Sequence, residues 1–109
     1  MSASNALLPS DLMDAAFDVL RRLPLFAPEH EAAARAALAE RVPEASSAHV
    51  SAALHSARHL HVDLLDAAEA VRASRLTYDE AVAGLATRHP GFSADTYRAA
   101  LGHGLFVLR

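Results

Sequence analysis

The 109-residue sequence contains no cysteine. Without thiols the chain has no disulfide, no thiolate nucleophile and no thiolate metal ligand. Such a composition is typical of proteins from a reducing compartment. A domain of this length buries roughly two thirds of its unfolded surface, so folding requires neither a disulfide nor a structural metal.

Long apolar runs are also missing. No stretch approaches the roughly 18 uninterrupted apolar residues of a membrane span. Residues 1–9 have neither the basic start nor the apolar core of a secretory leader and read as a loose arm. We therefore expect a cytoplasmic protein without a membrane partner.

Lysine is absent, and arginine supplies every permanently positive side chain. The net charge of −3 argues against a strongly basic nucleic-acid binder. Residues 1–71 carry an acidic excess and residues 72–109 a basic one. Two opposite clusters could therefore bind each other in two copies of the chain, or bind a charged partner. They are Arg72, Arg75, Arg88 and Arg98 on one side and Asp11, Asp14 and Asp18 on the other.

Glycine and proline are few, with four and five copies, whereas alanine supplies much of the 52% hydrophobic content. Alanine has the highest helix propensity, so we predict an all-α bundle of four or five helices in a single domain over residues 1–109. The first helix is predicted from about Asp11 to Arg22, with Ser10 as its N-cap. The second runs from about Glu29 to Arg41, and Phe26 in the link between them is expected to fill the core.

A long central helix is predicted within the stretch from Glu44 to Leu76, which contains neither proline nor glycine. Ser46 or Ser47 could cap it, and apolar residues recur along it at helical spacing. About 30 helical residues would span roughly 45 Å, more than a small domain needs. The helix should therefore bend near residues 59–61 or pack against a second molecule.

Residues 77–109 read as a helical hairpin resembling a helix-turn-helix, following residues 10–76. Thr77 and Glu80 have the spacing of a capping box, which places a fourth helix at about Tyr78–Arg88. Ser93 should cap a fifth helix, whose end Gly102 and Gly104 are expected to weaken. The strongly apolar residues 105–108 must be buried in the core or by a partner.

One alternative function is metal binding. His55, His59 and Asp63 recur every four residues and so share one helix face, a pattern that suits Zn or Ni. The signal is weak, because one helix supplies at most three ligands and no glutamate lies between the histidines as in a zinc protease helix. A solvated histidine-rich face explains the pattern more simply, and we predict no cofactor.

A second alternative is DNA binding through residues 77–103, with the fifth helix in the groove. Its outward side chains would include Ser93, Thr96 and Arg98. Against this, Asp95 would face the phosphates, and few arginines are present to neutralise them. A helical hairpin that only completes the bundle is the simpler interpretation.

The favoured hypothesis is a small interaction or regulatory module, either a homodimer or the partner of another protein. It depends on the long helix and the apolar end of the chain. The predicted interface consists of Leu54, His61, Leu65, Phe106 and Leu108, and His61 could make it pH-sensitive. No glycine-flanked serine or complete catalytic motif occurs, so an enzyme is not expected.

Overall fold

A computed structural model describes residues 9–22 and 29–108. The described chain is all-helical, without strands, and has five helices, which confirms the predicted bundle of four or five helices. Its elements are α1 (Ser10–Arg21), α2 (Glu29–Arg41), α3 (Ser47–Arg72), α4 (Tyr78–Arg88) and α5 (Ala94–Leu108). The predicted arm, apart from Pro9, and the predicted core role of Phe26 lie outside the described residues.

The helix starts follow the predicted capping signals in three cases and depart from them in one. At the start of α5, the Ser93 hydroxyl accepts from the N–H of Thr96, as predicted. Ser46 caps α3 by accepting from the backbone N–H of His49, and Thr77 and Glu80 form the capping box of α4. Ser10 is not the N-cap of α1. Helix α1 already begins at Ser10, and the carbonyl of Pro9 accepts from the N–H groups of Leu12 and Met13.

Helix α3 is shorter than the sequence suggests, because both ends of the uninterrupted stretch form turns. Its 26 residues span about 39 Å, close to the longest dimension of the molecule, 42 Å. The helix ends at Arg72, and Ser74, two residues later, has a left-handed φ of 61°. The N–H groups of Ser74 and Arg75 then donate to the carbonyls of Val71 and Ala70, the pairing of a Schellman motif.

Serine is an unfavourable residue at this position, since left-handed backbone is strained for residues with a Cβ. We expect Ser74→Gly to raise the free energy of unfolding by about 0.5–1 kcal/mol. Urea unfolding followed by circular dichroism measures the change, with Ser74→Ala as the control that keeps the Cβ. An equal gain in both variants would show that the strain is not the cause.

The buried stripe of α3 is covered by the chain's own helices, since α3 packs against α1, α2, α4 and α5. The largest fully buried side chains are Phe17, Leu38, Leu54, Leu60, Leu64, Leu85 and Leu101. Val62 is the only large apolar side chain of α3 that is mostly exposed. The expectation that this helix needs a second molecule to cover its apolar stripe is therefore wrong.

Helices α3 and α5 run in the same general direction. The His61 ring faces the His103 ring, and further along both helices the Arg72 guanidinium donates to the carbonyl of Leu108. Helix α4, which lies between them in the chain, runs back along α3 and brings Arg88 beside Asp63. The chain then reverses again, so that α5 follows the direction of α3. This arrangement places the end of α5 beside the end of α3.

Candidate functional site

The last turn of α5 exposes large apolar side chains. The helix packs its opposite face inward through Tyr97, Ala100, Leu101 and Gly104. Residues 105–108 are all apolar and adjacent, so a helix cannot turn all of them toward the core. Phe106 is 58% exposed and Val107 52%, whereas Leu105 and Leu108 are partly buried against the core. The core therefore covers only part of this segment, and burial of the rest by a partner stays a prediction.

We call Leu105, Phe106, Val107 and Leu108 the α5 apolar end. Helix α5 continues through it, so Gly102 and Gly104 do not end the helix. Val107 belongs to this surface although the sequence argument overlooked it. The only sequence signal for it was its place within four consecutive apolar residues.

The predicted interface is only partly at the surface. Leu54 and His61 are 0% and 5% exposed, so other parts of the same chain already occupy the space that a partner would need. Leu65 and Leu108 are half-buried, and Phe106 is exposed. Leu54 and His61 are therefore withdrawn from the interface, and its exposed part lies on α5.

His61 instead forms part of a histidine pair inside the bundle. Its ring centroid lies 6.3 Å from that of Phe17 on α1 and 5.7 Å from that of His103 on α5. Burial, followed by the charge of His103, lowers the pKa of His61. Burial, followed by the charge of Arg21, lowers the pKa of His103. Both shifts favour neutral imidazoles between these three helices.

The predicted metal ligands do not form a site. The rings of His55 and His59 are adjacent, 4.4 Å between centroids. The carboxylate of Asp63, however, accepts from Arg88 Nε at 2.6 Å and lies 2.8 Å from His89 Nε2. Within the described ranges no three histidine or carboxylate side chains are placed to hold a metal ion. The metal-binding alternative is therefore withdrawn.

Asp63 instead fastens the turn after α4 to α3. Burial alone would raise its pKa, but the hydrogen bonds from Arg88 and His89 outweigh that effect and lower the pKa of Asp63. A cleft of about 250 Å³ opens beside this contact, lined by His55, Ser56, His59, Arg88, His89, Pro90 and Phe92. The guanidinium of Arg88, which lines this cleft, is already bound to the carboxylate of Asp63. The cleft therefore offers little positive charge to a ligand.

Of the predicted nucleic-acid residues, Ser93 holds the start of α5 to α1. The Ser93 hydroxyl accepts from the N–H of Thr96, and the Ser93 N–H donates to the carboxylate of Asp14 at 2.9 Å. The carboxylate of Asp14 therefore lies at the N-terminus of α5, where a phosphate would bind. Arg98 is exposed and lies 3.7 Å from Asp95. These contacts argue against groove binding by α5.

The acidic and basic clusters of the sequence are largely engaged within the chain. Asp18 binds three arginines, Asp14 binds the start of α5, and Arg88 binds Asp63. Burial alone would raise the pKa of Asp18, but the hydrogen bonds from its arginines lower it. If these clusters paired between two copies of the chain, the ion pairs and hydrogen bonds of Asp14, Asp18 and Arg88 within each copy would first have to break.

Comparison with known proteins assigns no relative to this chain. No family model, curated protein or solved structure matches it. Among the described residues, no helix is long and apolar enough to cross a bilayer. Function is therefore inferred from the chemistry of the described residues.

Proposed function

We propose that this chain is a small protein–protein interaction module that forms a homodimer through the α5 apolar end. The observation that carries the proposal is the exposure of two adjacent large apolar side chains, Phe106 and Val107. Their removal from water would favour association by the hydrophobic effect. The proposal keeps Phe106 and Leu108 of the predicted interface and adds Val107.

A second copy is the simplest occupant, because a patch made only of apolar groups is complementary to itself across a two-fold axis. Residues 99–108 contain no aspartate, glutamate or arginine, so like charges of this segment do not oppose each other in such a pair. The patch is small compared with the roughly 1,200–2,000 Å² that stable interfaces bury. We therefore expect a weak dimer that forms with increasing concentration.

Phe106→Asp tests this proposal, because it places a carboxylate in the centre of the patch in both copies. We expect sedimentation velocity to show a monomer–dimer equilibrium for the original chain at high micromolar concentration and only monomer for Phe106→Asp. Val62→Asp is the matched control, because Val62 is similarly exposed but lies on the outer face of α3. The control should dimerise like the original chain.

A strictly monomeric original chain over this concentration range would contradict the homodimer. Loss of dimer in both variants would contradict the assignment of the surface to α5. The cytoplasmic location and the lack of an enzymatic activity stay predictions of the sequence. DNA binding is not proposed, since the contacts of Ser93 and Arg98 argue against it.

A further inference from the structure

Three arginines converge on one carboxylate between α1 and α2. Asp18 accepts from Arg21 Nε at 2.9 Å, from Arg22 Nε at 3.1 Å and from Arg41 Nη1 at 2.7 Å. One carboxylate thus accepts hydrogen bonds from three guanidinium groups. The lowered pKa of Asp18, despite its partial burial, is consistent with a local excess of positive charge.

A cavity of about 410 Å³ opens beside these arginines and is lined by Asp18, Val19, Arg22, Ala37 and Arg41. Its volume lies within the roughly 300–1,000 Å³ of small-molecule sites. Val19, which is almost fully buried, and Ala37 give it an apolar part. The cavity therefore combines an apolar surface with guanidinium groups at one side.

The charge count favours a doubly charged ligand. Three arginines surround Asp18, and two of them, Arg22 and Arg41, line the cavity. Asp18 neutralises one of the three charges, and the carbonyl ends of α1 and α2 offset part of the remainder. The excess left is about one to two positive charges. A phosphate monoester carries about −1.5 to −2 charges at pH 7, whereas a carboxylate carries only one.

We propose that this cavity binds the phosphate monoester group of a small organic molecule, with its carbon framework against Val19 and Ala37. Each guanidinium has five N–H donors, and the observed bonds to Asp18 use only some of them. Arg22 and Arg41 can therefore donate to phosphate oxygens while they keep their contact with Asp18. Asp18 acts as a positioning residue, because it holds the guanidinium groups in place before a ligand arrives.

Titration with phenyl phosphate, followed by protein NMR, tests the proposal. We expect saturable shifts centred on Val19 and Ala37 at millimolar ligand, with weaker binding of inorganic phosphate, which lacks the ring, and of benzoate, which lacks the second charge. Arg41→Gln should weaken phenyl phosphate binding about tenfold or more, as expected for the loss of a charge-assisted hydrogen bond. Arg35→Gln is the matched control on α2, because Arg35 pairs with Glu31 and does not line the cavity.

Circular dichroism and thermal unfolding of both variants establish that they keep the fold. Three results would overturn the proposal: no saturable binding of phenyl phosphate, equal weakening by Arg41→Gln and Arg35→Gln, or benzoate binding as tight as phenyl phosphate. Equal affinity for inorganic phosphate and phenyl phosphate would contradict the proposed contact between the carbon framework of the ligand and the side chains of Val19 and Ala37. None of these results depends on whether the chain dimerises, so they are distinguishable from failure of the proposed interface.

Discussion

Gly104→Ala is expected to lower the free energy of unfolding by about 1–3 kcal/mol, the usual effect of overpacking a core. A Cβ at this position would lie 2.9 Å from both Ala68 Cβ and Leu64 Cδ1, and 3.0 Å from the Leu64 carbonyl oxygen. The Leu64 side chain can turn aside, but the backbone carbonyl of α3 cannot. The added methyl group would therefore force α5 away from α3, although alanine favours helix formation.

Gly102→Ala is the matched control in the same turn of α5, and the opposite sign is expected. A Cβ there meets no atom within 4 Å, so only helix propensity changes. We expect it to raise the free energy of unfolding by about 0.5–1 kcal/mol. Urea unfolding of both variants measures the difference, and stabilisation by both would show that α5 does not pack on α3 at Gly104.

The difference between these two glycines shows what the sequence could and could not predict. Both interrupt an alanine-rich helix, and local propensity treats them alike. Only the position of α3 distinguishes them, because Gly104 allows the close approach of the two backbones. Helix starts were more predictable, since the bonds of Ser46 and Thr77 are local. The end of α3 was not, because Ser74 takes the place that glycine usually fills.

The candidate sites likewise depend on contacts between residues that are far apart in the sequence, which helical spacing does not predict. Helical spacing correctly placed Asp63 on the face of His59, but it could not reveal that Arg88, 25 residues further along the chain, would bind the carboxylate. Leu54 and His61 were predicted to lie at an interface, but they are buried, because the sequence alone could not show that other helices of the chain pack on α3. Phe106 was recoverable from the sequence alone, because four consecutive apolar residues cannot all face inward on one helix.

Acidification from pH 7.5 to pH 5 is expected to destabilise the fold through the pair His61 and His103. Burial lowers the pKa of both below the ordinary histidine value of about 6.5. As the pH falls, the unfolded chain therefore takes up protons before the folded chain does. The contribution of the two neutral histidines to the free energy of unfolding is fully present above about pH 6.5, and it decreases as the pH falls toward the folded pKa values. The lowered pKa values of Asp18 and Asp63 contribute a similar loss only below about pH 4.

His61→Leu should flatten this dependence, because it replaces the more buried imidazole with a side chain that cannot take up a proton. The free energy of unfolding, measured by urea titration at several pH values, gives the slope for each variant. The slope is the relevant quantity, since His61→Leu also changes core packing by an amount that is the same at every pH. His49→Gln is the control, because His49 lies exposed on the same helix and should leave the slope unchanged. A slope that persists in His61→Leu, or that disappears in His49→Gln, would show that acid sensitivity does not originate between α1, α3 and α5.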